Sequence, residues 1–212
     1  MILIIQNKTK KRWTKLIFQS NKIYSIYICG IGGQGIISLS KKLVDLLAVN
    51  PRISKIVVAE SRGVSQREGM VSAVIRFIYN DSNYDEQKIN IQKKYKISEL
   101  SLGPFSYPRF ADIFIGLDLI ETLRNLKFLS KNATAIINTS VNYPKSVKQE
   151  EREHLNLLIS TFDSIMRETF PKTTIIKRDF TSIALEKYQN VVMMTNLFVE
   201  ELFSAYPTIF LK

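Results

Sequence analysis

The sequence predicts an α/β domain of three layers, with a mostly parallel or mixed central sheet between flanking helices. Three observations carry this. Short β-branched and aromatic runs (IYSIYIC at 23–29, KIVVAE at 55–60, DIFIGL at 112–117, TAIINTS at 134–140) read as buried strands. Between several of them lie segments with apolar residues at helical spacing. A glycine cluster, CGIGGQG at 29–35, stands where the first such strand turns into the first such helix, and strands alternating with helices build largely parallel sheets.

Taken in order, residues 1–22 form a basic N-terminal extension, and residues 23–212 are expected to make one α/β domain. After the strand at 23–29 and the glycine turn, Ile36, Leu39, Leu43, Leu46 and Leu47 mark a helix whose other face carries Lys41, Lys42 and Asp45. A strand at 55–60 leads into a polar loop, SRGVSQREG at 61–69, and a third strand at 70–79 follows so closely that the sheet can become mixed. Residues 80–96 are polar, with Asn80, Asp81, Ser82 and Asn83 as turn formers, and read as a surface excursion. The proline-bearing stretch 101–110 reads as a loop packed down through its aromatics, Tyr107 and Phe110 among them. Then come a strand at 112–117, a helix at 118–129, a strand at 134–140, helical spacing over 147–170, a strand at 173–180, and a helix over 181–204 with a break near Gln189-Asn190.

Composition narrows the function. With 212 residues, 45% hydrophobic and 23% charged, the chain can bury a core as an ordinary soluble domain. No apolar run approaches the roughly 20 residues of a membrane span, and MILII followed by KTKKRW does not read as a secretory signal. The cytoplasm is the expected compartment. The single cysteine, Cys29, excludes an internal disulfide and a self-contained iron–sulfur cluster, which takes about four thiolates. One histidine, His154, argues against a histidine-rich metal centre, and no metal site is expected. Cys29 reads as a packed thiol and His154 as a surface side chain. The net charge of +11 is concentrated at the start: Lys8, Lys10, Lys11, Arg12, Lys15 and Lys22 occur with no acid. Such an arm is either solvated or docks an acidic protein or a phosphate-bearing cofactor. No nucleic-acid motif accompanies it.

Gly30-Ile31-Gly32-Gly33-Gln34-Gly35 fits G-x-G-x-x-G in its required strand–turn–helix context, a Rossmann-like turn. Glycines permit positive φ and leave no Cβ in the way of a ligand, while the helix start offers unpaired N–H groups and partial positive charge. Glu60, at the end of the second strand, falls where a ribose-binding acid would stand, so a self-sufficient NAD(P)- or flavin-binding oxidoreductase using Gly30, Gly32, Gly35 and Glu60 is one reading. Close strand–helix packing is another. The second loop adds Arg62 and Arg67 around Ser65 and Gln66, with Gly63 and Gly69 as turn points. Both loops leave carboxyl ends of strands and are expected on one rim, suited to an anion or to a partner's polar loop. An Arg67 salt bridge to Glu68 or Glu60 is the structural alternative.

GIGGQGIISLSKKL, AESRGVSQREGMVSAVIRF, ADIFIGLDLIETLRNLKFLSKNATAIINT and the closing YQNVVMMTNLF, in order over about residues 22–204, resemble the gamma subunit or domain of 2-oxoacid (pyruvate or ketoisovalerate):ferredoxin oxidoreductases. The beta subunit of indolepyruvate:ferredoxin oxidoreductase is similar. The resemblance implies a hetero-oligomeric complex in which thiamine diphosphate, iron–sulfur clusters and coenzyme A belong to partner subunits and ferredoxin accepts the electrons. This chain would bind no cofactor alone, would be inactive alone, and would complete the active site. By motif match, Gly32, Gly33, Gln34, Gly35, Ser65, Gln66, Arg67 and Gly69, together with Gly30, would form the ligand- or partner-binding rim, with Arg67 as the candidate catalytic residue. A non-catalytic interaction or regulatory paralogue is the remaining alternative. The sequence departs from the family pattern at Glu68, where a small residue is usual, at Thr195-Asn196, where Gly-Ala is common, in a longer 80–110 region and in the basic arm.

Overall fold

A computed structural model describes residues 4–5, 14–15, 21–63, 69–80, 107–143 and 148–210. Strands β1 (Ile4–Ile5) and β2 (Thr14–Lys15) pair antiparallel in a ladder of their own. The main sheet contains β3 (Asn21–Ile31), β4 (Ile53–Arg62), β5 (Met70–Asn80), β6 (Ala111–Gly116), β7 (Leu129–Asn138) and β8 (Thr174–Arg178), in the order β4-β5-β3-β6-β7-β8. The helices are α1 (Ile36–Ala48), α2 (Leu119–Asn125), α3 (Gln149–Ser160), α4 (Phe162–Thr169), α5 (Phe180–Tyr188) and α6 (Met194–Ala205).

The sheet is mixed for a simple reason. Only a short link joins β4 to β5, too short for a crossover helix, so the two strands return antiparallel. β5 then inserts between β4 and β3, antiparallel to both. The β3–β6, β6–β7 and β7–β8 pairs are parallel.

The alternation of β3 divides the interior in two. Ile26 and Ile28 face one core with Leu39 and Leu43 of α1, Phe180 and Ala184 of α5, and Phe198 and Leu202 of α6. Tyr27 and Cys29 face the other, with Phe114, Ile137, Leu119 of α2, and Phe162 and Met166 of α4. All four β3 side chains are at most 2% exposed, as expected of a central strand covered on both faces. The layers are helix, sheet and helix.

Three boundaries depart from the sequence reading. The helix expected over 118–129 ends at Asn125, whose side-chain amide donates back to Glu121 O (2.8 Å). A 3-10 turn at Leu126–Phe128 follows, and Leu129 opens β7. Leu126 and Leu129 stay in the same core, so the leucine spacing survives while the backbone changes. β7 starts earlier than the expected 134–140 because its first turn-like polar residues, Ser130, Lys131 and Asn132, lie on the strand's less buried end. The helical stretch over 147–170 divides at Thr161, where the hydroxyl and the N–H both bond to Leu157 O. The expected break near 189–190 is present: Gln189 is left-handed (φ 53°), and Asn190 Oδ1 accepts from Val192 N–H (2.9 Å). The surface excursion at 80–96 and the stretch 101–106 lie outside the described residues, apart from Asn80 at the end of β5.

Candidate functional site at the carboxyl rim

The glycine turn and the two ends of the second sequence-predicted loop lie at one rim. Ile31, the last residue of β3, pairs with Met70, the first of β5, and Gly32 N–H donates to Gly69 O (3.0 Å). Gly63 N–H donates to Met70 O (2.8 Å), which brings the end of β4 to the same side. Gly30, Gly32, Gly33, Gln34, Gly35 and Gly69 are thus gathered together. Ser65, Gln66 and Arg67 lie outside the described residues.

The members of the glycine turn do different jobs. Gln34 is 7% exposed and folds inward: its Oε1 accepts from Ile31 N–H (2.8 Å), while its own N–H donates to Ile31 O (3.2 Å). It closes the turn on itself. At Gly30 a Cβ would stand 2.8 Å from Gln34 Oε1 and 3.0 Å from Leu117 Cβ, so this glycine serves close packing. Gly35 (φ +92°) opens α1, and a Cβ there would meet Thr195 Cγ2 at 2.9 Å and Val192 Cγ1 at 3.1 Å, where the start of α6 covers it. Gly33 (φ +95°) faces open space. α1 begins with no side-chain cap and no acid in its first turn, so its positive end is uncompensated by its own helix.

The chain leaves β3 toward α1 on one face and leaves β6 toward α2 on the other. The crevice between those carboxyl ends is the topological switch point, where open α/β sheets place ligands. Of the two helix starts there, α2 is already satisfied. Asp118, fully buried, accepts through Oδ1 from Ile120 N–H (3.0 Å) and Glu121 N–H (3.1 Å). Its Oδ2 accepts from the backbone N–H and the side-chain amide of Asn142 (3.1 and 3.2 Å). Asn138, also fully buried, donates to Leu117 O and Thr181 Oγ1 (2.8 Å each), tying β6, β7 and α5 behind the crevice. The sequence reading missed both residues. An Asp one residue before a helix with Glu three positions on is a capping signature, and it was available for Asp118. Nothing local marks Asn138.

Glu121 is 4% exposed; its Oε1 holds Arg124 Nη1 at 2.6 Å, and its Oε2 has no donor among the described residues. Burial pushes the Glu121 carboxyl up; Arg124 opposes that and the charge of Asp118 adds to it. Burial likewise raises Asp118 and Asp112, against the hydrogen bonds each accepts. An acid raised on folding binds its proton more tightly in the folded chain. Its stabilisation is complete below the unfolded value, about 3.9 for Asp and 4.3 for Glu, and is lost as pH rises through the raised value. Glu121→Gln should therefore flatten the decline in unfolding free energy between about pH 4 and neutrality, as read by urea titration. A variant curve parallel to that of the parent would overturn this assignment. The Arg124 pairing is half exposed and contributes little to the balance.

The other residues singled out in the sequence lie at several places in the fold. Cys29 is fully buried, and desolvation first, with Glu121 and Asp118 behind it, pushes its thiol well up, which makes it a packed, unreactive group. Phe110 is 4% exposed, with its ring against Tyr27, Tyr107 and Phe128, and His154 lies exposed on α3. Glu60 requires a correction. β5 separates β4 from β3, so Glu60 sits two strand spacings from the glycine turn, roughly 10 Å, and it pairs with Arg62 at 3.8 Å. It is not placed as the ribose-binding acid of a dinucleotide fold. The described residues bring together no group of three or more His, Cys, Asp or Glu, and no described helix is long and apolar enough to cross a membrane.

The fold is a three-layer α/β domain whose first helix starts uncapped at the switch point. The family model of pyruvate ferredoxin/flavodoxin oxidoreductases matches residues 25–199, and the chain belongs to that family. The resemblance read from the sequence is borne out. Subunit IorB of the indolepyruvate oxidoreductase of Methanothermobacter thermautotrophicus is 30% identical over 142 residues, 66% of this chain and 61% of that protein. IorB of Archaeoglobus fulgidus is 30% identical over 123 residues, 58% of this chain and 50% of that protein. The match therefore spans about half to three fifths of these relatives. Among solved structures, the 2-oxoglutarate:ferredoxin oxidoreductase of Magnetococcus marinus, with 2-oxoglutarate, coenzyme A and succinyl-CoA bound, shares the fold. It superposes with a TM-score of 0.53 at 10% identity over 90% of this chain and 26% of that one. Pyruvate oxidoreductase subunit PORC of Thermotoga maritima aligns over 84% of this chain and 75% of its own, at 16% identity and a TM-score of 0.47.

Proposed function

We propose that this chain is the non-cofactor-bearing subunit of a thiamine-diphosphate-dependent 2-oxoacid or indolepyruvate:ferredoxin oxidoreductase. In this reading it completes the active site and the assembly for oxidative decarboxylation to an acyl-CoA, with ferredoxin reduced. Family membership supports the class. The observation that carries the subunit's role is the Gly32–Gly69 hydrogen bond, which holds an open helix start beside the root of the arginine-bearing loop.

Thiamine diphosphate, iron–sulfur clusters and coenzyme A are assigned to partner subunits. A cysteine-ligated cluster does not fit this chain, which offers one thiol, fully buried. A phosphate or carboxylate does fit the amino end of α1. Gly33 leaves the approach open, the first-turn N–H groups point outward along the axis, and the helix brings no acid of its own to compete. Coenzyme A held by a partner subunit would supply the acyl-accepting thiol, with its anionic portion reaching this helix start. The part of this chain would be to hold the anionic portion with main-chain amides and with the guanidinium of Arg67.

The first test is isolation of the native protein. Co-purification with thiamine-binding and cluster-binding chains, and visible iron–sulfur absorption, are expected; a chain that comes out alone would favour the regulatory-paralogue reading. In the reconstituted complex, Arg67→Ala should lower turnover or coenzyme A affinity about 10- to 100-fold, the effect of losing one charge-assisted contact of 1.5–3 kcal/mol. Unchanged values of both would remove Arg67 from the site.

A further inference from the structure

The end of the sheet opposite the carboxyl rim carries a different chemistry. Over residues 107–143 every exposed charged side chain is basic: Arg109, Arg124, Lys127 and Lys131. The acids of the same stretch, Asp112, Asp118 and Glu121, are buried or half-buried. Arg124 is held by Glu121. The other three collect with Lys172 at the amino ends of β6, β7 and β8. Arg109 N–H donates to Lys127 O (2.8 Å), and Ala111 pairs with Leu129. Thr173 Oγ1 donates to Ser130 O and Lys131 O (3.4 Å each), which brings the exposed Lys172 beside Lys131. The Arg109 guanidinium lies over the ring of Phe170, two residues before Lys172 (5.8 Å to the centroid). None of these four cations makes an ion pair within 4 Å among the described residues. Glu168, the exposed acid nearest to Lys172 in the chain, pairs with none of them.

The backbone shows that the charge at Arg109 is kept at a cost. Arg109 follows Pro108 in a turn and is left-handed (φ 59°), a place that favours glycine. The surroundings show which anion suits the surface. The two helices that end here, α2 and α4, lead into β7 and β8, so they present carbonyls and no free amides for a phosphate. The four charges stand apart along three strand ends, roughly 5 Å per strand, and do not converge on one point. Of the rings Tyr107, Phe110, Phe128 and Phe170 only Tyr107 is exposed, which leaves no row of faces for bases to stack on. Separate carboxylates along a protein segment match this spacing.

We propose that the amino end of the sheet is a docking surface for an acidic segment of a protein partner. Its aspartates or glutamates meet Arg109, Lys127, Lys131 and Lys172, and the like charge of the four attracts and orients it. β6 runs six residues from here toward the rim, roughly 20 Å, so docking leaves the rim free. The inference therefore stands apart from the proposed catalytic assignment.

The test uses the full chain and a fluorescein-labelled oligoglutamate, titrated by anisotropy at low salt. Lys127→Glu/Lys131→Glu should weaken binding about tenfold, against about twofold for Lys41→Glu/Lys148→Glu, which carries the same change in net charge on exposed sites elsewhere. Arg109→Gly suits the left-handed backbone, so it does not threaten folding, and should weaken binding about threefold. Zero-length carbodiimide coupling followed by peptide mass spectrometry should join the oligoglutamate to Lys127, Lys131 or Lys172. Equal weakening by the two double variants, or links confined to the lysines of residues 1–22, overturns the proposal. An oligothymidylate of equal charge that binds more tightly than the oligoglutamate, and loses affinity in the Lys127/Lys131 variant alone, overturns it as well by assigning the surface to nucleic acid.

Discussion

Gly116→Ala should lower the melting temperature by about 6–12 °C, the shift that a loss of roughly 3 kcal/mol gives in a chain of this size. A Cβ at Gly116 would stand 1.8 Å from Thr122 Oγ1 and 3.1 Å from Thr122 Cβ. Thr122 cannot step aside, because it is fully buried and its hydroxyl donates to Asp118 O (2.8 Å). The first turn of α2 would have to lift from the end of β6. Thr122→Ala alone removes that hydrogen bond and costs about 1 kcal/mol. The double variant should recover part of the loss, with a coupling of about 1–2 kcal/mol in its favour, because removing Oγ1 relieves the worst contact. Additive losses on thermal or urea unfolding would show that Gly116 does not set the helix–strand approach.

Asp118→Ala is the second large effect, expected at about 2–4 kcal/mol. The carboxylate caps α2 through two amides and holds Asn142 through two more donors. Loss of the cap accounts for about 1–2 kcal/mol, and the freed donors for the rest. Asp118→Asn keeps one acceptor oxygen for the amides but presents an amino group to Asn142, so it should cost about half as much. Burial raises the Asp118 carboxyl, so its stabilisation is fully present at acid pH and falls as pH rises. The difference between parent and Asn variant should therefore be larger near pH 4 than at neutrality. The opposite trend in urea titrations at the two pH values would contradict that sign.

These two residues also show how far local sequence reading reaches. The glycine turn was legible because its spacing and its strand–helix context are both contiguous in the chain. So were the break at Gln189-Asn190, the buried character of β3, and the surface position of His154. The inward fold of Gln34 was not legible: a glutamine in a glycine turn looks the same from the sequence whether it reaches outward or, as here, closes on Ile31 N–H. The end of α2 was misplaced because leucines at helical spacing also satisfy a helix, a 3-10 turn and a strand that return to one core.

The sequence by itself determined the α/β class, the run of strands and helices, the glycine turn before α1 and the family. Each of these follows from side-chain periodicity and backbone permissiveness over a few neighbouring residues. Only the tertiary structure decided that β5 separates β4 from β3, that Glu60 is held away from the turn, and that one helix start at the switch point is closed by Asp118 while the other stays open. Those outcomes depend on strand pairing and on hydrogen bonds between residues such as Asn138 and Thr181 or Gly32 and Gly69. Such partners are brought together by the packing of the whole sheet, and no local pattern announces them.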